Sequence, residues 1–233
     1  MAPAFSSLAL KVGEGALLPR KKLSLRDQAY EVIKAKIVSC DLKPGEAVTV
    51  TDLAEALGIG RTPVIQAVDR LMVDGLVEVM PRKGVVVSPV SLDELVEIIE
   101  VRLLNEGQAA RWAAERIQER QVSDLRANLE NMAKATKERA TERLIALDRE
   151  FHRLISAAAG NSIMAELLGN LHDRSVRFWT LSLNVPDHNL RVCEQHAEIL
   201  VALAAHDADR AEAAVRAHIS AFKQNLVSNL MGG

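Results

Sequence analysis

The sequence predicts a mainly α chain: an N-terminal winged helix-turn-helix followed by a C-terminal all-α helical bundle. Three observations carry that reading. Three short helical repeats between Leu25 and Gly75 run into two β-rich stretches joined by a basic turn. From Ser91 onward the apolar period is helical and no β-rich run interrupts it. The charge also divides along the chain, with 12 Lys/Arg against 10 Asp/Glu in residues 1–90 and 17 against 21 in residues 91–233.

Composition bounds the function. A chain of 233 residues with 48% hydrophobic content can bury a core and is long enough for two domains. Its longest apolar runs fall far short of the ~20 residues that span a bilayer, and no apolar signal core opens it, so a cytoplasmic protein without membrane contact is expected. Cys40 and Cys193 form neither a CxxC motif nor a paired framework. The net charge of −2 argues against a uniformly basic protein, so any nucleic-acid contact belongs to the N-terminal part.

Residues 1–22 mix Ala, Ser, Gly and Pro, show no sustained period and end in "PRKK", which reads as a flexible arm. Residues 23–90 form the first domain. Ala29, Val32, Ile33, Ile37 and Val38 recur at helical spacing until Pro44 and Gly45 force a turn. Asp52 to Leu57 reads as a short second helix halted by Gly58. Thr62 stands where an N-cap is expected, with Pro63 at the first helical position, and the third helix buries Val64, Ala67, Val68 and Leu71. Leu76–Met80 and Val85–Ser88, joined by "PRKG", read as a hairpin.

Three short helices and a basic hairpin describe a winged helix-turn-helix, whose third helix lays its N-terminal residues into the major groove. Arg61, Thr62 and the first-turn N–H groups then stand at a helix N-terminus, where the dipole and free donors favour a phosphate. Gln66 and Arg70 lie one turn apart on the face opposite the buried positions, and such residues address adenine and guanine. Arg82 and Lys83 at the wing reach the minor groove or its phosphates, with Gly84 permitting close approach. Taken singly, each of these residues is as well explained as a solvated charge; the ordered set is not.

The stretch "LKPGEAVTVTDLAEALGIGRTPVIQAVDRLMVDGLVEVMPRKGVVV" resembles the DNA-binding domain of the GntR family of bacterial transcription regulators, over about residues 25 to 90. That family commonly reads Ser-Arg-Thr-Pro-Val-Arg-Glu-Ala-Leu where this chain has Gly60 to Val68, so Ile65 replaces an arginine that contacts DNA in the family and Gly60 replaces a serine. The resemblance implies binding to double-stranded operator DNA.

Residues 91–233 form the second domain. Ser91 and Glu94 have the spacing of a capping box, followed by Leu95, Ile98, Ile99, Val101 and Leu104 at helical period. Further helices are expected at about 121–137, 140–159, 161–182, 187–205 and 208–229. Within "ALDREFHRLI", Asp148 and His152 are four residues apart on one helix face. His196 and His218 are each embedded in the apolar face of their own helix. A single such histidine is more often a satisfied core residue; three on separate helices with an aspartate suit a divalent transition metal such as Zn²⁺ or Ni²⁺.

This second domain resembles the FCD ligand-binding domain of the FadR-like GntR branch, through "EVR" in its first helix, "DREFHRLISAAAGN" and "EQHAEILVALAAHDADRAEAAVRAHI". The resemblance implies that Asp148, His152, His196 and His218 are the metal ligands. It also implies that Arg102 holds the carboxylate of a small organic acid effector, a task a guanidinium beside an open metal position suits. Asn105, beside the family-matching Glu106, is expected to tune that pocket. His172, His188 and His206 match none of the family's ligand positions and read as surface or hinge residues, and Trp112 and Trp179 as packing.

Together these features imply a metal-containing, effector-responsive regulator, a repressor, that binds an inverted repeat as a homodimer. An Asp/His₃ site with an open position can also activate water, so a metal-dependent enzyme is the reading from another class, and a repressor with a purely structural metal is a third. Against the enzyme stands the lack of an HExxH motif, a nucleophile elbow or a motif-placed base.

Overall fold

The computed structural model describes residues 23–182 and 188–231. The chain divides into two compact units, one of residues up to Ile37 with Leu42–Ser88, the other of Val38–Asp41 with Pro89 onward.

In the first unit α1 (Leu25–Val38), α2 (Val50–Leu57) and α3 (Arg61–Val73) pack with a small sheet of β1 (Ala47–Val48), β2 (Val77–Met80) and β3 (Gly84–Val87). The order is β1-β3-β2 and both pairings are antiparallel. The hairpin expected from "PRKG" pairs Val77 with Val87 and Met80 with Gly84. The two-residue β1 is too short for any period to reveal it. The core joins Ala29, Ile33 and Ile37 of α1 to Val64, Ala67 and Leu71 of α3 and to Val85 and Val87 of the sheet.

Two helix starts differ from expectation. The second helix begins at Val50 rather than Asp52, because Thr49 forms a full capping box with Asp52. The N-cap of α3 is Gly60, in extended backbone and without a side-chain cap bond, so Thr62 and Pro63 lie inside the first turn. Gly58, at φ +62°, closes α2 in the left-handed conformation, and its N–H and that of Ile59 bond back to Glu55 and Ala54. The chain therefore re-enters a helix two residues sooner than a side-chain cap at Thr62 would require. Pro63 is tolerated there because first-turn N–H groups have no partner within the helix.

The second unit is a bundle of α4 (Leu92–Arg116), α5 (Glu119–Lys137), α6 (Thr141–Ala158), α7 (Ser162–Ser182), α8 (His188–Ala204) and α9 (Ala208–Met231). Ser91 caps α4 by accepting the Glu94 N–H. Helix α4 packs chiefly on α9 and also on α6 and α7, while α5 packs on α6 and α8. Small residues permit the α4/α9 approach: Ala110, Ala113 and Ala114 are fully buried, and a Cβ at Gly107 would stand 3.0 Å from Arg216 Nε. Among the described residues no helix is long and apolar enough to cross a membrane.

Candidate functional site

On the first unit the residues expected to meet nucleic acid are displayed rather than packed. Arg61, Thr62, Ile65, Gln66 and Arg70 of α3 are all exposed, as are Arg82 and Lys83 at the hairpin tip. Their settings differ. Arg70 lies over the Tyr30 ring, 3.8 Å from its centroid, with Nη1 3.8 Å from Asp27 Oδ1, so its guanidinium braces α3 against α1. Tyr30 also donates to Asp74 at 2.5 Å and accepts from Lys34 at 3.0 Å. Gly84 does permit a close approach, but to its own sheet: at φ +85° its missing Cβ would come within 2.8 Å of the Val48 carbonyl oxygen.

In the second unit three helices bring one polar cluster into the apolar core. Asp148 and His152 come from α6, His196 from α8 and His218 from α9, and all four are buried. Each offers one ligand atom, and the four atoms lie within 4.8 Å of one another. His196 Nε2 is 3.4 Å from His218 Nε2 and 3.5 Å from Asp148 Oδ1, whereas His152 Nε2 has no hydrogen-bond partner among the described residues.

The opposite ring atoms are anchored. His152 Nδ1 meets Glu106 Oε2 at 3.1 Å, His218 Nδ1 meets Gln195 Oε1 at 2.9 Å, and His196 Nδ1 faces Met132 Sδ at 3.4 Å. The His196 ring also stacks on Phe151 at 4.2 Å between centroids. With one edge of each ring held by a neighbour, the remaining nitrogens converge, the outer-shell arrangement that orients histidine ligands. An orphaned imidazole nitrogen facing two other imidazoles and a carboxylate fits a divalent ion with nitrogen preference.

Electrostatics favour the same state. Burial pushes the imidazoles of His196 and His218 down, that of His196 to about 3, so both are neutral and carry lone pairs. Burial alone would raise the Asp148 and Glu106 carboxyls. The imidazoles of His172, His152 and His196 around Asp148, and Arg102 and His152 beside Glu106, outweigh it and hold both well below the usual carboxylate range. Asp148, His196 and His218 are thus already deprotonated, as a metal requires of its ligands.

Arg102 is buried on α4, paired with Glu106 one turn on and donating to Ser175 Oγ at 2.9 Å. It lines a cavity of about 500 Å³, including open solvent, with Asp148, His152, His218, Arg191 and Phe222 among its other walls. Asn105 does not line this cavity: its side chain donates to the Val101 carbonyl of its own helix at 2.7 Å, because one residue past Leu104 turns it off the Arg102–Glu106 face. His172 is a second correction. It is 5% exposed and lines the cavity, a core residue rather than a surface or hinge position. His206 is exposed at the α8–α9 turn with φ +54°, and the side chains of His188 and Trp179 lie outside the described residues. Trp112 packs half-buried against the core. Glu150 pairs with Arg153 on the surface, and Arg174 with Glu94 at 2.6 Å; neither lines the cavity.

Sequence reasoning missed Glu106 and Gln195 as anchors, and His172 and Arg191 as walls. Glu106 had a readable signal, its i, i+4 spacing from Arg102. The others sit on α7 and α8 with no motif to mark them.

The family model "Bacterial regulatory proteins, gntR family" matches residues 25–87, and the FCD domain matches residues 97–221. The HTH-type transcriptional repressor RspR of Escherichia coli K12 is 25% identical over 202 residues, covering 87% of this chain and 89% of that protein. The Nta operon transcriptional regulator of Aminobacter aminovorans is 27% identical over 198 residues, 84% of this chain and 91% of that one. Among solved structures, E. coli McbR/YncC superposes with a TM-score of 0.82 at 26% identity over 89% of this chain and 99% of that one. A putative GntR regulator from Rhodococcus sp. RHA1 shares the fold, with a TM-score of 0.75 at 17% identity over 88% of this chain and 99% of that one. The families and relatives are transcription regulators rather than enzymes. This chain belongs to the GntR family of bacterial transcription regulators, with a helix-turn-helix domain for DNA and a C-terminal FCD effector domain.

Proposed function

We propose that the protein is a cytoplasmic repressor that binds an inverted-repeat operator as a homodimer and answers a small organic acid at a metal-assisted site. The observation that carries this reading is the convergence of four potential ligand atoms within 4.8 Å beside a buried arginine. Asp148, His152, His196 and His218 hold the ion, Zn²⁺ or Ni²⁺; Arg102 holds the acid. When bound, the ion cross-links α6, α8 and α9 and offers a coordination position to a carboxylate oxygen. Arg102 supplies the complementary guanidinium, kept in place by Glu106 and Ser175.

On the first unit Arg61, Thr62, Arg82 and Lys83 contact phosphates, and Gln66 reads a base edge. Arg70, stacked on Tyr30, serves as a brace with at most a phosphate contact. Gly84 keeps the wing in shape rather than touching DNA. Dimerisation is supported by exposed apolar residues on the outer side of α4, Val101 at 39% and Leu104 at 65%, one turn apart. Because α4 follows β3 after residues 88–91 alone, a shift of α4 on effector binding is transmitted along a very short tether.

The test is metal analysis and operator binding on purified protein. The wild-type chain is expected to carry about one ion per subunit and to change operator affinity when an acid effector is added, by the ~5- to 150-fold of ordinary allosteric coupling. His196→Ala and Arg102→Ala are expected to keep basal operator binding and lose the response. A His196→Ala protein with a full response and no metal would overturn the reading.

A further inference from the structure

Among the described residues three buried imidazole nitrogens have no hydrogen-bond partner among protein groups: Nε2 of His152 and both nitrogens of His172. The first belongs to the converging tetrad. His172 does not, for it is absent from the set whose ligand atoms lie mutually within 4.8 Å. Its ring stands 4.8 Å from that of His152, and its Nε2 comes 3.4 Å from Asp148 Oδ2 without the alignment of a hydrogen bond. It is 5% exposed and forms part of the α7 wall of the Arg102 cavity.

The neighbouring polar groups of that wall are committed elsewhere. The Ser175 hydroxyl donates to the His172 carbonyl at 2.9 Å and accepts from Arg102 at 2.9 Å. The Gln195 side-chain oxygen is paired with His218. An unsatisfied buried imidazole is costly, and it is kept without penalty only where something polar enters the cavity beside it. A carboxylate, which only accepts hydrogen bonds, is already served by Arg102 and the ion. A neutral imidazole has one donor and one acceptor nitrogen, which matches a hydroxyl, a group that both gives and takes.

We propose that His172 is an effector-contact residue that hydrogen-bonds a hydroxyl next to the acid group, so that the cavity selects 2-hydroxy carboxylic acids over unsubstituted ones. This rests on the organic-acid reading above and names the ligand class within it.

The test uses the nickel-loaded full chain and calorimetric titration with two probes, 2-hydroxybutyrate and butyrate. The wild type is expected to prefer the hydroxy acid by about tenfold or more, since a site built to pair a hydroxyl rejects the analogue that lacks it. His172→Phe is expected to abolish the preference by weakening the hydroxy acid alone, His172→Asn to restore part of it, and both to keep nickel affinity near wild type. Should His172→Phe fail to fold, His172→Asn alone decides, with a reduced preference expected. Equal binding of the two acids by the wild type would overturn the assignment while leaving an organic-acid site. A loss of nickel affinity in His172→Phe as large as in His152→Ala would make His172 a metal ligand and overturn it too. A wild type that takes up nickel but binds neither acid would remove the organic-acid reading itself, and this assignment with it.

Discussion

The two units place their polar chemistry in opposite ways. On the helix-turn-helix unit the residues proposed to meet DNA stand in solvent, spaced along α3 and the hairpin tip, and none belongs to the buried core beneath them. In the helical unit the polar residues are themselves core: Arg102, Glu106, Asp148, His152, His172, His196 and His218 are all buried among apolar side chains. The difference teaches where preorganisation is required. DNA supplies its own dense array of charges, and a protein gains affinity by adding weak contacts to a rigid frame. A single ion and a small acid must be held by a few groups at fixed distances, and that demands burial and anchoring.

The comparison predicts that changes in the buried cluster act on stability and metal together, while changes on the DNA-facing surface act on binding alone. The largest effect is expected for Glu106→Ala, which leaves the buried Arg102 guanidinium uncompensated and His152 unanchored. Chemical denaturation should show a loss of about 3–5 kcal/mol. Retention of full stability would mean that Arg102 can reach water. Next comes Asp148→Asn, which keeps the shape but removes the negative charge from the tetrad. Zinc affinity is expected to fall by more than about 100-fold, beyond what outer-shell changes cost, with operator binding little altered.

Acid should separate the units in a third way. The His196 imidazole is held at about 3 in the folded chain, below its ordinary value, so between that value and about 6.5 the unfolded chain binds the extra proton. The stability this histidine contributes is therefore intact above pH ~6.5 and is lost as pH falls below it, by about 1.4 kcal/mol per pH unit. His218 is shifted in the same direction and adds to the slope. Melting temperatures of the metal-free protein between pH 7.5 and 5 should fall steeply; a flat profile would mean the cluster is not sealed from water.

Smaller effects are expected on the first unit. Gly84→Ala meets both a positive φ and the Val48 carbonyl, and should cost about 1–2 kcal/mol of stability and loosen the wing. The least effect on stability is expected for Gln66→Ala, within about 0.5 kcal/mol, because the side chain is exposed. Site selection should nevertheless show relaxed preference at one base position. A stability loss as large as that of the wing variant would place Gln66 in the packing of α3 and dissolve the contrast.

Local pattern by itself determined the element types, the winged helix-turn-helix and the all-α bundle, and it marked Asp148 and His152 as one candidate pair, to which the family resemblance added His196 and His218. Periods of 3.6 and 2, glycine stops and the Asp-x-x-x-His spacing are written in neighbours along the chain, and hydrophobic burial then acts on them consistently. Helix starts were less legible. Whether Thr62 or Gly60 caps α3 depends on how tightly Gly58 turns the chain, and β1 exists only because β3 lies beside it. Tertiary structure alone decided which groups complete the site. Glu106, Gln195 and Met132 come from three different helices, and His172 from a fourth, and none has a sequence neighbour that announces its partner. It also decided that Arg70 stacks on Tyr30 and that Asn105 turns back to its own helix. The candidate ligand types follow from residue chemistry, whereas the anchoring of those side chains depends on which helix faces meet, and that is settled only when the bundle packs.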